Sequence, residues 1–314
     1  MKKECVSILS NHKTKSTVEK MAALIVCICA IVSIVAVISI TIYMVISGTP
    51  AILKVGLKEI LFSNVWAPTA QDPQFGILNM ILTSIVGVTL AIFLGVPIGI
   101  LTAVNLSEIA KPKIQKIVKS AIELLAAIPS VIYGLLGILF VTPMVYHLEL
   151  YLFKDSPTHQ FTGGSNLLSA ILVLAIMILP TLINITENAL RTVPKDYRLS
   201  SLALGATKIQ TIFKVVIPAA KNGILSAIVL GVGRAIGEAM AILLVAGNSI
   251  NSPTFFHSVR FLTTGIVSEM GYASGLHRQM LFTIGLILFI FIIIINIVLT
   301  FILKGGQNYE SKHS

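Results

Sequence analysis

Arg234 and Glu238 stand four residues apart in an otherwise apolar run, Gly231-Val232-Gly233-Arg234-Ala235-Ile236-Gly237-Glu238-Ala239-Met240-Ala241. A charge at the centre of a bilayer costs roughly 2.5–3.5 kcal/mol on insertion scales, so such residues face other protein or a water-filled path. The spacing predicts that both side chains share one helix face, close enough to pair. Two kinds of chemistry are open. In one, a buried ion pair fixes helix packing, since pairing is the usual solution for a buried charge. In the other, the guanidinium attracts an oxyanion, and Glu238 holds it in place or tunes its field. Arginine suits the second role because its planar fork donates two parallel hydrogen bonds. Gly233, Gly237 and Ala241 recur every four residues on the neighbouring face. This small-residue stripe predicts close packing against another helix, within the chain or on a partner.

Other chemistries leave no trace. No Gly-x-x-x-x-Gly-Lys-Ser/Thr loop, His-Glu-x-x-His or Gly-x-Ser-x-Gly occurs, so the chain carries no nucleotide-binding, zinc-protease or serine-hydrolase signature. The three cysteines, Cys5, Cys27 and Cys29, are odd in number and form no Cys-x-x-Cys. That excludes a disulfide frame and a zinc site. No metal or cofactor is expected. The net charge of +10 comes from lysines and arginines that lie between apolar segments. This is the pattern of membrane topology rather than of a nucleic-acid surface.

The elements that position the charged residues are membrane spans. The chain is 55% hydrophobic and 11% charged, against about 25% charged in soluble domains. Six apolar segments stand out, at 21–46, 75–105, 121–141, 167–186, 223–245 and 279–303. Each offers the roughly 20 residues that cross a hydrocarbon core. The first is longer than the 7–15 apolar residues of a cleaved leader and is expected to be a retained span. Lysine and arginine cluster before residue 21, after the second and fourth segments, and at the C-terminal end. This places both termini in the cytoplasm and agrees with an even span count.

The expected organisation is a cytoplasmic tail at 1–20, a first span with its extracytoplasmic loop at 21–74, a five-span core at 75–303 and a cytoplasmic tail at 304–314. Pro97 and Pro129 fall within predicted spans, where each removes a backbone donor and bends its helix. A polar outer loop is predicted at 143–166. Glu123 and Glu187 are expected at the cytoplasmic interface, and His277 and Arg278 at the outer end of the last span, where long side chains snorkel.

The cytoplasmic segment 191–218 is more than a connector. Leu199, Leu202, Ala203, Ala206, Ile209, Ile212 and Phe213 recur at helical spacing. Gly205 interrupts them and Pro218 closes the run. The pattern predicts two short helices meeting at a glycine whose backbone takes φ > 0 or admits a close neighbour.

These residues carry a resemblance. Leu199-Ser200-Ser201-Leu202-Ala203-Leu204-Gly205-Ala206, with nine residues between the glycine and Val215-Val216-Ile217-Pro218, resembles the coupling loop of ABC importer permeases. That pattern is Glu-Ala-Ala, three residues, Gly, nine residues, then Ile-x-Leu-Pro. The glycine and proline match. Leu199, Ser200 and Ser201 replace Glu-Ala-Ala. Four further stretches sharpen the likeness: Ala127-Ile128-Pro129-Ser130, Glu187-Asn188-Ala189-Leu190-Arg191, the Arg234–Glu238 motif continuing to Asn248, and Glu269 through Arg278. Over residues 75–303 the chain is similar to the phosphate-uptake ABC permeases, in particular their PstC-type subunits.

The resemblance implies an all-α, six-span membrane protein with the type I importer permease fold. Arg234 and Glu238 would lie on the substrate pathway. Leu199, Ser200, Ser201, Gly205, Ala206 and Pro218 would form the ATPase-coupling loop. The implied partners are a homologous PstA-type permease, a cytoplasmic PstB-type ATPase dimer, an extracytoplasmic PstS-type phosphate-binding protein, inorganic phosphate and the lipid bilayer. The chain itself would hydrolyse nothing. A permease for molybdate or sulfate, and a secondary transporter or channel without ATPases, remain as alternatives. The lack of an internal repeat disfavours the last class.

Overall fold

The structure is a computed structural model that describes the backbone of residues 2–310 and the side chains of residues 19–298 and 301. The tails expected at 1–20 and 304–314 lie, apart from Glu19 and Lys20, outside the residues with described side chains.

Almost all of the described secondary structure is helical. A long first helix, α1 (Lys2–Val55), is followed by the short α2 (Leu57–Phe62) and a two-stranded antiparallel ribbon, β1 (Trp66–Ala67) and β2 (Gln74–Phe75), with Trp66 opposite Phe75. Then come α3 (Leu78–Val104), which runs into a π-helical turn at Asn105–Ile109, and α4 (Pro112–Ala127). A second π-helical turn at Gly137–Val141 joins α5 (Ser130–Leu136) to α6 (Thr142–Leu152). After α7 (Leu167–Thr192) come α8 (Lys195–Ala203), α9 (Lys208–Thr211) and α10 (Ile217–Ala219). The chain ends with α11 (Lys221–Gly237), α12 (Met240–Val245), α13 (Leu262–Glu269) and α14 (Gly275–Glu310).

Five stretches are long and apolar enough to cross a membrane: 19–55, 78–109, 130–152, 167–192 and 275–298. The sixth candidate is α11, which meets the helical run 208–219 at a bend of 68°. The predicted six spans are reached when this bent pair counts as one, and two of the predicted boundaries move.

The third span starts at Ser130, not near residue 121, and reaches Leu152. Proline disfavours helical dihedrals in the residue before it. Ile128 accordingly takes an extended conformation, φ −70° and ψ 129°, and α4 ends at Ala127. Pro129 thus separates two helices rather than bending one. Pro97 does lie inside α3. The polar outer loop shortens to the residues between α6 and α7. The fifth segment, predicted as one helix over 223–245, is interrupted at Glu238 and Ala239.

The core is centred on α7, whose side chains at Leu167, Ile171, Leu174, Met177, Ile178 and Leu182 are almost fully buried. In lipid, helices associate through close packing rather than water exclusion. A Cβ at Gly95 would stand 2.8 Å from Ile178, and one at Gly99 3.0 Å from Leu182. Glycine at those two positions brings α3 against α7. By contrast α1 exposes almost every large side chain from Met21 to Ile46, Cys27 and Cys29 included. Among its described residues, the C-terminal end of α1 packs inward, through Tyr43 against Phe282 and a hydrogen bond from Thr283 to the Gly48 carbonyl.

Candidate functional site

The break in the fifth segment reshapes the charged motif. Arg234 lies in the last turn of α11, where a cation complements the negative end of the helix dipole. Glu238 lies beyond Gly237 in an extended conformation, φ −71° and ψ 132°. The expected i, i+4 ion pair is absent among the described residues, because the helix that would align the two side chains has already ended.

Each charge is held separately. Arg234 Nη1 donates to the hydroxyl of Thr181 on α7 at 3.2 Å. Glu238, 8% exposed, accepts from the Ala241 N–H at 2.9 Å and so caps the first turn of α12. Its backbone carbonyl accepts from the Thr263 hydroxyl at 2.7 Å. These bonds satisfy backbone groups that a broken helix would otherwise leave unpaired at membrane depth. No carboxylate pairs with Arg234 among the described residues, and its side chain is only partly buried.

The glycine stripe divides in the same way. Gly233 and Gly237 face nothing within 4 Å of an added Cβ. Ala241 belongs to α12 and is fully buried; its Cα would stand 2.9 Å from a Cβ at Gly134. Within this chain, close approach falls at Gly134 and Ala241, while Gly233 and Gly237 leave the backbone of α11 open beside Arg234.

The element 191–218 forms as two helical arms meeting at Gly205. Gly205 has φ +83°, a left-handed conformation that side chains rarely adopt. Its N–H donates to Leu202 and the Ala206 N–H to Ser201, the double hydrogen bond of a Schellman helix end. Thr207 then caps α9 in a reciprocal box with Gln210. Ser201 and Thr211 join the arms, hydroxyl to hydroxyl, at 2.9 Å. Pro218 lies at the start of α10. Leu199, Leu204, Ile209 and Phe213 are exposed at 63%, 89%, 67% and 52%, so this element turns an apolar face outward. Ile212 alone of the seven patterned residues is buried in the core beneath it.

Several polar contacts escaped the sequence reading. Glu187, expected at the interface, is 2% exposed and pairs with Lys119 of α4 at 3.0 Å and with Arg191. Arg198 pairs with Glu108 at 2.6 Å. At the opposite end of the spans, buried Glu269 accepts from Trp66 Nε1 at 3.0 Å and from Arg260 at 2.5 Å, and bonds His277 at 2.7 Å. His277 therefore does not snorkel but is 8% exposed inside this cluster. Buried Glu149 likewise meets His159 and Thr162. Chain separation hid the most distant of these groups: Trp66 and Glu269 are 203 residues apart.

Comparison with known proteins accords with this architecture. Residues 95–305 match the family of binding-protein-dependent transport system inner membrane components. A probable ABC transporter permease of Bacillus subtilis, YqgH, is 37% identical over 92% of this chain and 93% of its own length. A phosphate transport system permease protein, PstC, of Pasteurella multocida is 36% identical over 73% of this chain and 74% of its own. Among solved structures, the methionine ABC transporter MetNI in an inward-facing conformation superposes with a TM-score of 0.58 at 22% identity. That match covers 73% of this chain and 95% of the other.

Proposed function

The chain belongs to the inner-membrane permeases of binding-protein-dependent ABC importers, and on that premise we propose that it carries inorganic phosphate past Arg234 into the cytoplasm. Membership makes it a multi-pass transport subunit that works with ATPases, a substrate-binding protein and a second permease. The finer reading names those partners: a PstB-type ATPase dimer, a PstS-type phosphate-binding protein and a PstA-type permease. Relatives named as phosphate permeases support the substrate.

One observation within the chain carries the reading. Arg234 stands in the last turn of α11, partly exposed, with a neutral hydroxyl as its described partner. A guanidinium placed in this way, with no carboxylate, has donors left for an oxyanion. The open backbone at Gly233 and Gly237 lies beside it, and the second permease would close against that face. Glu238 serves the pathway by holding the helix break in shape.

At the other end, Leu199, Ser200, Ser201, Gly205, Ala206 and Pro218 form the coupling loop. The exposed apolar face would dock an ATPase, with Leu199 offering apolar contact where related permeases carry glutamate. Both termini would then be cytoplasmic, with tails at 1–20 and 304–314 flanking the outer-loop unit at 21–74 and the core at 75–303. ATP is hydrolysed in the partner subunits.

The test is reconstitution. In proteoliposomes the chain, its homologous permease and the ATPase pair take up labelled phosphate only with ATP and the binding protein. Phosphate uptake by this chain alone, without an ATPase, would overturn the ABC reading in favour of a carrier or channel. Preference for molybdate or sulfate over phosphate would overturn the substrate.

A further inference from the structure

The two arms of the 191–218 element are attached to the spans by different means. The second arm is anchored by apolar packing: Ile212 and Val216 are buried with Val104, Leu106, Ile183 and Leu190. The first arm, α8, buries none of its residues. Arg198 supplies its polar attachment. Nε and Nη2 donate to the two Glu108 carboxylate oxygens at 3.2 and 2.6 Å. Nη1 donates to the Val193 carbonyl at 2.7 Å, and Nη2 also to the Leu190 carbonyl at 2.9 Å.

These acceptors lie on two different spans. Glu108 sits in the π-helical turn that ends the α3 rod, where Ser107 also donates to its carboxylate at 2.9 Å. Leu190 and Val193 are at the C-terminal end of α7, where the Leu190 carbonyl also accepts from the Val193 N–H at 3.4 Å. One planar fork thus grips both spans at once. Only arginine has the donor number and geometry to do so. The side chains are 21% and 10% exposed, so the pair is partly shielded from solvent.

We propose that Arg198 is the positioning residue that transmits movement of the docked ATPase to α3 and α7, through its joint hold on Glu108 and the α7 terminus. This rests on the docking role proposed for 191–218. The outward-facing residues Leu204, Ile209 and Phe213 take no part in the tether, so docking and transmission are separable. Coupling between distant sites requires a physical element that both bias, and here that element is a rigid arm fastened to two spans.

The experiment uses the assembled transporter in proteoliposomes and reads phosphate imported per ATP hydrolysed. Arg198→Gln loses the fork and is expected to keep hydrolysing ATP while the ratio falls by about tenfold or more; Arg198→Lys, a single point donor, should fall by about threefold. Glu108→Gln, which keeps the shape, should fall between them. An unchanged ratio in Arg198→Gln and Glu108→Gln overturns the proposal. So does a parallel loss of uptake and hydrolysis, which would mark Arg198 as merely structural. Leu204→Cys cross-linking to the ATPase separates the premise from the inference. No cross-link in the otherwise native complex overturns docking and tether together; a cross-linked, fully coupled Arg198→Gln complex overturns the tether alone.

Discussion

Arg260 and Arg234 are both partly buried arginines in a membrane protein, yet they keep different company. Arg260 faces Glu269 at 2.5 Å and donates to the Asn248 carbonyl at 3.0 Å, within a cluster that adds Trp66 and His277. Four separate stretches of chain meet at one carboxylate. Arg234 meets the hydroxyl of Thr181, and its nearest carboxylate in sequence, Glu238, is turned away to cap α12. A charge fully answered by its own chain serves structure. On the proposed reading, Arg234, answered among the described residues by a neutral group, keeps capacity for a ligand.

Substitutions break this contrast in opposite ways. Arg234→Gln is expected to lower phosphate uptake by about a hundredfold or more, as for loss of a charged group that meets the ion. Assembly and thermal stability of the complex should stay unchanged. Normal transport by that variant would return Arg234 to a packing role. Glu269→Ala reverses the pattern. Removing one partner of a buried pair costs about 3–5 kcal/mol, so the melting temperature should fall sharply while the folded fraction transports with unchanged affinity. A changed phosphate KM in that fraction would make the outer cluster part of the pathway.

Smaller effects sharpen the comparison. Glu238→Ala removes a helix cap and should cost about 1 kcal/mol, whereas Glu238→Gln keeps an acceptor oxygen and should cost little. Equal effects of the two on uptake, both large, would show that the charge itself acts on the ion. Thr181→Ser keeps the hydroxyl and should transport as the native chain does. Thr181→Val leaves a guanidinium donor unanswered and should lower uptake by several fold. Identical uptake by the two would show that Thr181 does not orient Arg234.

The sequence reading and the structure part company in instructive places. Gly205 was legible because a helix end needing φ > 0 leaves a local mark, a glycine that interrupts the helical spacing of apolar residues. The Arg234–Glu238 pair was misread because Gly237 does not announce a break: no proline follows it, and the apolar run resumes at Ala239 directly after Glu238. Pro129 did mark a break, but apolar residues on both sides made one span of α4 and α5. Arg198 and Glu108, 90 residues apart, left no periodic trace at all.

What the sequence determined by itself is the set of features governed by local chemistry: six apolar stretches, the basic bias of the loops, the glycine-centred element and the presence of an intramembrane arginine. Burial of apolar surface in lipid and backbone sterics act within a few residues of one another, so composition and spacing record them. What only the tertiary structure decided is which charges meet. Glu238 leaves Arg234 for a helix terminus, Glu269 gathers Trp66, Arg260 and His277, and Arg198 reaches Glu108 and the end of α7. Those pairings depend on where whole helices lie. A carboxylate in a low-dielectric interior binds whichever donor the packing brings to it, however distant in the chain.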